Sequence, residues 1–431
     1  MTRPIWDKSG AEVDERIMAF TAGEDVVLDR QLFVYDLRAS KAHVRGLSRI
    51  DVLTDEECEK LVATLDELGQ KFEEGQFILD ERFEDMHSAI EAYLTEKLGD
   101  LGRKVHTGRS RNDQVLVAIR LYLRDALSQI EESCKKTAQV CLDRAQADDV
   151  PMPGYTHLQR AVPSSTGMWF AAFAEAFIDD AMMAKMTARY VDANPLGTAA
   201  GYGVNLPLDR DGVSDDLGFS RQQINPIYAQ NSRGKFELQA LMALAQALLD
   251  VRRLAWDLSL FTTAEFAFVN LPDRFTTGSS IMPNKRNPDV VELLRGTYGV
   301  VQGAMAELQA LLALPSGYQR DLQGSKPPLL RAMNRGLDAL VITTELLSDL
   351  EFDAEKMAAA IDGPMHATDR AVELTAEGVP FRKAYRQVAD ELAELDGRRP
   401  QDSLDARTSP GACADLRLSQ LRQRLDELDR V

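Results

Sequence analysis

One thirteen-residue segment, Thr276–Pro288, combines a glycine, two serines, two asparagines and two cations, and it contains no acidic residue. Such a segment is unusual in a chain whose net charge is −18. Its hydroxyl, amide and ammonium groups are suited to stabilising negative charge that develops on a carboxylate during a reaction. Pro283 and Pro288 oppose helix formation, so we predict a mobile loop that closes over a site and excludes water. A plain helix–helix connection is the alternative.

A second candidate segment, Gly102–Asp113, contains four cations: Arg103, Lys104, Arg109 and Arg111. No acid lies between them, and a helical pattern follows. These side chains and the free N–H groups of the helix start could therefore hold an anion. The alternative is a solvated helix start with a serine or asparagine cap, and the pattern of this loop alone favours that alternative.

The third candidate is the segment Pro153–Gln159, where His157 follows Thr156 in a glycine-containing turn. Imidazole titrates near neutral pH, which makes His157 a candidate acid or base. The chain has five histidines, and a lone histidine is more often structural. A catalytic role for His157 therefore depends on further evidence.

Several common catalytic motifs are absent from the sequence. There is no GxGxxG after a strand pattern and no GxxxxGK[ST], so no nucleotide fold is indicated. HExxH and GxSxG are also missing, so neither a zinc protease nor an α/β-hydrolase is expected. The segment Asp209–Asp216 is weakly similar to a calcium loop, but the twelfth position is Ser220 rather than glutamate. This segment is predicted to be a turn and a helix start.

Composition and charge exclude further classes of protein. The 431 residues include 50 Lys and Arg against 68 Asp and Glu, so a protein that binds nucleic acid or a membrane through bulk positive charge is not expected. The four cysteines are too few and too scattered for a disulfide framework or a CxxC zinc site. Reduced thiols predict a cytoplasmic protein. Residues 1–20 carry charges in place of an apolar leader, and no apolar run reaches the ~20 residues of a membrane span.

The scaffold for these loops is predicted to be all-α, because apolar spacings of three and four dominate while period-two alternation is scarce. Four long helical patterns stand out: Val115–Ala147, Thr166–Ala193, Lys235–Asn270 and Pro328–Leu350. The third contains neither glycine nor proline and is apolar nearly all round, as expected in the middle of a bundle. Such helices exceed the width of one compact domain, so we predict a bundle that other subunits complete.

The ends of the chain are predicted to contain shorter helices and more loops than its centre. We predict an N-terminal helical domain over 1–108, a long-helix domain over 109–352 and a small C-terminal helical domain over 353–431. Within the last of these, Gly397–Ala412 is expected to be a polar linker that precedes a final charged helix, Asp415–Asp429.

The three candidate segments together are similar to a known family. The sequence GSSIMPNKRNP at 278–288 resembles the signature loop of the fumarase/aspartase superfamily. HTGRSRNDQ at 106–114 and GYTHLQ at 154–159 resemble the argininosuccinate lyases within it, and further similarity runs from Ile5–Trp6 to Gly378–Arg382. The resemblance implies a three-domain, homotetrameric fold with a twenty-helix bundle, in which each site takes loops from three subunits.

The resemblance also implies an activity, the reversible anti elimination of argininosuccinate to arginine and fumarate, without a cofactor or a metal. In that reaction a proton leaves a carbon beside a carboxylate, and the site must stabilise the second negative charge that appears there. The implied catalytic residues are Ser279 as general base, His157 as general acid, Glu292 as the group that orients the histidine, and Lys285 beside the developing charge. The implied substrate-binding residues are Arg111, Asn112, Thr156, Ser280, Asn287, Tyr318, Gln323 and Lys326.

The sequence departs from the commoner family pattern where the amino-acid half of the substrate would bind. Asp25 occupies the place of a serine, Gly234 the place of an aspartate, and Gly324–Ser325 the place of an acidic pair. A paralogous lyase that acts on another N-substituted aspartate therefore stays open. Adenylosuccinate is one such substrate, although the segment HTGRSRNDQ disfavours it. A non-catalytic helical structural protein is the remaining alternative, and the intact catalytic motifs oppose it.

Overall fold

A computed structural model describes residues 16, 17, 20 and 23–430 of the chain. The similarity at Ile5–Trp6 lies outside these residues, and so does most of the charged segment 1–20. Helices make up most of the described chain, and its strands are few and short. The prediction of an all-α fold is confirmed.

The helices and strands have the following bounds. The α-helices are, in chain order, α1 (Asp25–Asp29), α2 (Phe33–Arg49), α3 (Asp55–Glu73), α4 (Met86–Leu98), α5 (Asp100–Arg103), α6 (Arg111–Ala147), α7 (Thr166–Val191), α8 (Arg210–Asp216), α9 (Pro226–Asn231), α10 (Lys235–Phe261), α11 (Asp289–Leu311), α12 (Lys326–Asp349), α13 (Ala354–Ala359), α14 (Ala367–Ala376), α15 (Phe381–Asp390), α16 (Pro400–Ala406) and α17 (Leu418–Glu427). Short 3₁₀ turns lie at Lys104–His106, Asp273–Phe275, Arg320–Ser325, Gly363–His366 and Leu392–Leu395. Among the described residues, antiparallel pairs form between β1 (Pro151–Thr156) and β2 (Gln159–Ser165), and between β3 (Val269–Asn270) and β4 (Glu351–Phe352).

The described chain divides into two compact units. The first comprises the described residues up to Gln129, together with Ala184–Leu244 and Val300–Arg335. The second comprises Ile130–Met183, Ala245–Gly299 and the described residues from Gly336 onwards. The three-domain division at 108/109 and 352/353 stays a prediction.

Five long helices form the framework of these units. Helices α6, α7, α10, α11 and α12 contain 37, 26, 27, 23 and 24 residues. Their apolar residues recur at spacings of three and four, so each helix buries a continuous stripe. In α10 the fully buried side chains include Leu241, Leu244, Leu248, Val251, Leu254 and Leu258. Burial of each such side chain contributes about 1.5–3 kcal/mol to folding.

The predicted helix Lys235–Asn270 is shorter than expected, and α10 ends at Phe261. The chain reverses there without glycine or proline, because Ala267 adopts a left-handed conformation with φ +48°. The N–H of Phe268 then donates to the carbonyl of Phe261 at 2.9 Å, and the two rings pack with centroids 5.9 Å apart. The residues after this reversal form β3, which pairs with β4.

Other element boundaries differ from the predictions in smaller ways. Helix α6 begins at Arg111 rather than Val115. The predicted linker Gly397–Ala412 contains helix α16, whose Arg407 flank donates to Asp369 at 2.7 Å. The final helix, α17, is shorter at both ends than predicted. Asp209 caps α8 through the N–H of Gly212, which confirms the predicted turn and helix start.

Among the residues that the structure describes, none of the helices combines the length and apolar character that a bilayer crossing requires.

Candidate active site

The acid-free segment Thr276–Pro288 forms a loop between α10 and α11 whose two ends are tied together. The N–H of Thr277 donates to the carbonyl of Asn287 at 3.0 Å, and the N–H of Asn287 donates back to Thr277 at 2.8 Å. The side-chain amide of Asn287 also reaches the carbonyl of Gly278 at 3.4 Å. These bonds close the base of the loop, so the residues between Thr277 and Asn287 project from a fixed base.

Ser279 lies near the start of this loop, and two backbone amides contact its hydroxyl oxygen. The N–H groups of Ile281 and Met282 both donate to that oxygen, at 3.3 and 3.1 Å. Two N–H dipoles aimed at one oxygen favour a negative charge on it. The arrangement therefore suits a serine that must act as an alkoxide.

The two cations of the loop have different surroundings. Arg286 is anchored, because its guanidinium lies 2.7 Å from the carboxylate of Asp273 and donates to the hydroxyl of Thr276 at 3.1 Å. The side chain of Lys285 is exposed, and none of the described carboxylates pairs with it. Lys285 is therefore the cation of this loop that remains available to a ligand. Ser280 is exposed as well.

Glu292 lies in the first turn of α11, directly after the loop. Its side chain is exposed. The helix start fixes its position, because the Glu292 N–H donates to the carbonyl of Pro288 at 3.1 Å. Glu292 is thus carried on a rigid element next to a loop.

His157 lies at the tip of the β1–β2 hairpin. Thr156 pairs with Gln159, so His157 and Leu158 form a two-residue turn, and their φ angles are +55° and +58°. Such turns normally use asparagine and glycine. A left-handed histidine is strained, and such strain is concentrated at functional sites. The imidazole is exposed at this tip.

The rest of the hairpin holds that tip in place. Arg160 pairs with Asp362 at 2.7 Å, and the ring of Tyr155 contacts Phe266 with centroids 5.7 Å apart. Gly154 lies at a bulge, where a Cβ atom would be only 2.8 Å from the carbonyl oxygen of Val162. The sequence GYTHLQ therefore contains a glycine that the close strand approach requires.

Hydrogen bonds and ion pairs within the described chain do not connect the hairpin with the loop. None joins Thr156 or His157 to Ser279, Lys285 or Glu292. The hairpin and the loop each expose their own polar side chains, and both belong to the second compact unit.

The four cations predicted at Gly102–Asp113 do not form one anion site. Arg103 pairs with Asp100 at 2.9 Å, and Lys104 pairs with Glu57 at 2.6 Å. Arg109 is buried and donates to the hydroxyl of Ser40 at 2.8 Å. The partner of Arg103 is three residues away, whereas Glu57, the partner of Lys104, is distant in sequence and local spacing alone does not reveal it.

Arg111 and Asn112 form the first turn of α6. The Ser110 hydroxyl accepts from the Asn112 N–H at 3.3 Å, so Ser110 acts as the predicted cap. The guanidinium of Arg111 lies 2.9 Å from Glu84 and 3.0 Å from Asp85. Burial opposes the charge of Arg111, but these two carboxylates outweigh it and raise the pKa of the guanidinium. Arg111 is therefore firmly positioned at the helix start.

Asp113 is a positioning residue that the sequence arguments missed. It is fully buried, and its carboxylate accepts from the N–H groups of Ser110, Gly197 and Ala199 at 2.9, 3.0 and 2.8 Å. Burial raises the pKa of Asp113 to about 6. The spacing Ser110–Asp113, which matches a capping box, was the available signal.

Lys326 begins α12 and is almost completely buried. Its ammonium lies 2.7 Å from the carboxylate of Asp29 and 2.9 Å from that of Asp25. Burial disfavours the charge of Lys326, but the two carboxylates outweigh it and raise its pKa. Tyr318 and Gln323 lie just before this helix, and the guanidinium of Arg233 stands over the Tyr318 ring at 6.0 Å.

Comparison with known proteins decides the family. A family model described as "Lyase" matches residues 8–303. An argininosuccinate lyase of Stenotrophomonas maltophilia (strain R551-3) is 58% identical over 98% of this chain and 99% of its own length. An argininosuccinate lyase of Xanthomonas oryzae pv. oryzae (strain PXO99A) is 57% identical over 99% of this chain and the whole of its own. The chain belongs to the argininosuccinate lyase family of the fumarase/aspartase superfamily.

Several solved structures are similar in fold to this carbon–nitrogen lyase. A crystal structure of EDDS lyase in complex with formate has a TM-score of 0.79 at 24% identity, and it covers 98% of this chain and 90% of its own. A 3-carboxy-cis,cis-muconate lactonizing enzyme from Pseudomonas putida has a TM-score of 0.72 at 19% identity, and covers 96% of this chain and 97% of its own. The all-α lyase fold is thereby established.

The candidate residues of this lyase fall into two groups. The first unit carries Arg111, Asn112, Tyr318, Gln323 and Lys326, and the second carries Thr156, His157, Ser279, Ser280, Lys285, Asn287 and Glu292. The first group is buried or half-buried, whereas most of the second is exposed. Their roles in catalysis and binding are the subject of the proposal that follows.

Proposed function

We propose that this lyase catalyses the reversible anti elimination of argininosuccinate to arginine and fumarate. The observation that carries the proposal is the environment of Ser279, whose oxygen accepts two backbone N–H bonds on a loop without acidic residues. The curated relatives named argininosuccinate lyase support the choice of substrate.

The chemical difficulty is removal of a proton from a carbon beside a carboxylate. The carbanion that forms places a second negative charge on that carboxylate, so the barrier falls only where fixed positive dipoles meet the charge. Ser279 is the general base in this proposal. The amides of Ile281 and Met282 stabilise its alkoxide, which makes a normally weak base competent.

Lys285 and Asn287 stabilise the developing charge on the substrate. The ammonium of Lys285 is exposed without a carboxylate partner among the described residues, so it can approach a ligand carboxylate. Asn287 is fixed by the bonds at the base of the loop, which orients its side chain before substrate arrives. Ser280 and Thr156 supply further hydroxyl donors to the substrate.

His157 is the general acid towards the departing guanidinium nitrogen, directly or through water. Glu292 orients the imidazole and favours its charged form. No hydrogen bond joins the two side chains within the described single chain, so their pairing belongs to the assembled, substrate-bound enzyme. His157 is exposed at the left-handed turn of the hairpin tip, which leaves the imidazole accessible to a site shared with another chain.

The residues of the first unit bind the substrate in this proposal. Arg111 and Asn112, at the start of α6, recognise the succinyl carboxylates. Tyr318, Gln323 and Lys326 serve the arginine half. No cofactor or metal takes part, since the carbanion is stabilised by protein dipoles and cations.

We further infer a homotetramer with composite sites, located in the cytoplasm. Apolar side chains are exposed along the long helices in the single chain, which supports their burial by other subunits. They include Met168, Met182, Met183, Met186, Met242, Leu249, Trp256, Leu293 and Val341. Composite sites would bring the hairpin of one chain to the loop of another.

The fumarate absorbance assay tests the substrate. Purified enzyme is given argininosuccinate or adenylosuccinate, and absorbance of fumarate is followed. We expect fumarate from argininosuccinate and none above background from adenylosuccinate. Release of fumarate from adenylosuccinate alone would make adenylosuccinate the substrate in place of argininosuccinate. Release from neither compound would favour another N-substituted aspartate as the substrate, or a structural protein.

A further inference from the structure

Arg286 connects the two arms of the loop Thr276–Pro288. Its guanidinium forms an ion pair with Asp273 at 2.7 Å, donates to the hydroxyl of Thr276 at 3.1 Å, and donates to the backbone carbonyl of Leu271. A guanidinium presents several donors in fixed directions, so this one side chain can make all three contacts. The arm that leaves the loop is thereby bound to the arm that enters it.

Arg274 fixes the entering arm to helix α12. Its guanidinium donates twice to the carboxylate of Asp349, at 2.7 and 3.0 Å, and once to that of Glu345 at 2.9 Å. The same guanidinium lies 4.4 Å from the centroid of the Phe275 ring, and Phe275 is only 4% exposed. The entering arm is therefore attached to the last turns of a long helix and to a buried side chain.

The loop divides into a fixed root and a free tip. The root comprises residues 271–277 and 286–289, where Thr277 and Asn287 exchange two backbone hydrogen bonds and the Thr277 hydroxyl donates to Asp289. The tip comprises residues 278–285. Within the described chain, no side chain of the tip forms a hydrogen bond or an ion pair with a residue outside the loop. The contacts of both arginines thus end where the tip begins.

We propose that Arg286 is a positioning residue for the elimination, because it fixes the root so that closure over the substrate moves the tip alone. This inference rests on the proposed function, in which Ser279 is the general base and Lys285 meets the developing charge. Ser279 lies two residues from the root, and Lys285 directly precedes Arg286. A shift of the root would displace both groups, and a misplacement of about 1 Å can cost about 100-fold in rate.

A direct effect of the Arg286 charge on the substrate is the alternative, since that charge adjoins Lys285. The two roles predict opposite results for Asp273→Asn, which removes a negative charge and one of the three contacts of Arg286. If Arg286 acts through its charge, loss of the nearby carboxylate should strengthen anion binding and lower KM. If Arg286 acts through position, the same substitution should lower kcat. The side chain of Asp273 is 98% exposed, so the substitution leaves no buried group unpaired.

Steady-state rates of fumarate release measure the effect of each variant. Arg286→Gln removes all three contacts, and we expect kcat to fall at least about tenfold while KM stays within about twofold, because placement rather than binding is lost. Arg286→Lys should recover part of kcat. Asp273→Asn should lower kcat by about two- to fivefold, the range for one exposed ion pair.

Two further proteins serve as controls. The double variant Asp273→Asn/Arg286→Gln should be no slower than Arg286→Gln alone, because both residues act through the same contact. Arg399→Gln removes an exposed arginine that pairs with Asp402 at 2.5 Å, and it should keep the wild-type kcat.

Hydrogen exchange, resolved to single amides by fragmentation, tests the root without substrate. The N–H groups of Thr277 and Asn287 are bonded across the root, so we expect them to exchange more slowly than those of Ser279 and Ser280 in the tip. In Arg286→Gln both root amides should approach the exchange rates of the tip, while the amides of α12 stay unchanged.

The outcomes distinguish this inference from the proposed function. Equal exchange of root and tip amides in an active wild-type enzyme would overturn only the fixed root, and this comparison requires no variant. A lower KM with unchanged kcat in Asp273→Asn, or wild-type kcat in Arg286→Gln, would overturn the positioning role. If the wild-type enzyme releases no fumarate from argininosuccinate, the proposed function and the catalytic part of this inference both fall, while slow exchange at Thr277 and Asn287 would still support the fixed root.

Discussion

The backbone N–H of Met282 donates a 3.1 Å hydrogen bond to the hydroxyl oxygen of Ser279. The Ile281 N–H approaches the same oxygen at 3.3 Å, so this serine accepts two bonds from its own loop. Ser279→Ala removes the oxygen that these dipoles stabilise. We expect kcat to fall by about 100- to 10,000-fold, the range for a positioned acid–base group, as measured by fumarate absorbance.

Ser280→Ala is the matched control for that variant. Ser280 is adjacent, has the same side chain, and is exposed in the same loop. Its loss should weaken substrate binding more than turnover. Equal losses of kcat in the two variants, or near-normal turnover in Ser279→Ala, would remove Ser279 from the role of base.

His157→Asn tests the general acid. Asparagine tolerates the left-handed conformation that His157 adopts at φ +55°, so the hairpin should persist while the titratable group is lost. Departure of the amine should become slow, and the loss in kcat should be smaller for a substrate whose amine is easier to expel. Rates for argininosuccinate and an analogue with a less basic leaving amine provide the comparison. The same fractional loss for both amines would argue against His157 as the acid.

The buried pair His87–Asp36 predicts a pH dependence of stability. The imidazole Nδ1 lies 2.7 Å from the Asp36 carboxylate. Burial lowers the pKa of His87, but the negative charge of Asp36 outweighs it, and the pKa lies above the ordinary value of 6.5. The stabilisation is therefore complete below that value and is lost as the pH rises through the raised pKa of the folded state.

Urea unfolding from pH 6 to pH 9 at one protein concentration measures this effect. The free energy of unfolding of the wild-type enzyme should fall across the range, and Asp36→Asn should flatten that decline. A fixed concentration is needed because assembly also contributes to apparent stability. Parallel pH profiles for the two proteins would show that the pair does not contribute.

Met186 tests the inferred assembly. Its side chain is 58% exposed on α7, one of the long helices. Met186→Glu would bury a charge in a subunit interface, so we expect dissociation to smaller species in sedimentation equilibrium. Val372→Glu is the control, because Val372 is 55% exposed on the short helix α14. A tetramer in both variants would exclude α7 from the interface at that point.

The long helices were predictable because their apolar residues repeat at helical spacing, and the core of α10 follows that pattern. Its end was not predictable. The reversal depends on Ala267 in a left-handed conformation and on the packing of Phe268 against Phe261. The local sequence contains no residue type that predicts this turn, since alanine normally continues a helix.

In the candidate site as well, the features set by local sequence were predictable and those set by tertiary contacts were not. Glycine, proline and the absence of acids predict the loop around Ser279, and a histidine beside a threonine predicts a functional turn at His157. The two strands that flank this turn were not predicted. The partners of Lys104 and Lys326 were hidden, because Glu57 and Asp29 are distant in sequence.

Activity of mixed oligomers tests the central claim most directly. Chains carrying Ser279→Ala and chains carrying His157→Asn are co-expressed, and fumarate release is compared with that of each variant alone. If a site takes these residues from different chains, about a quarter of the sites in random tetramers contain neither substitution, and substantial activity should return. A mixture no more active than the better single variant would contradict a catalytic site shared between chains.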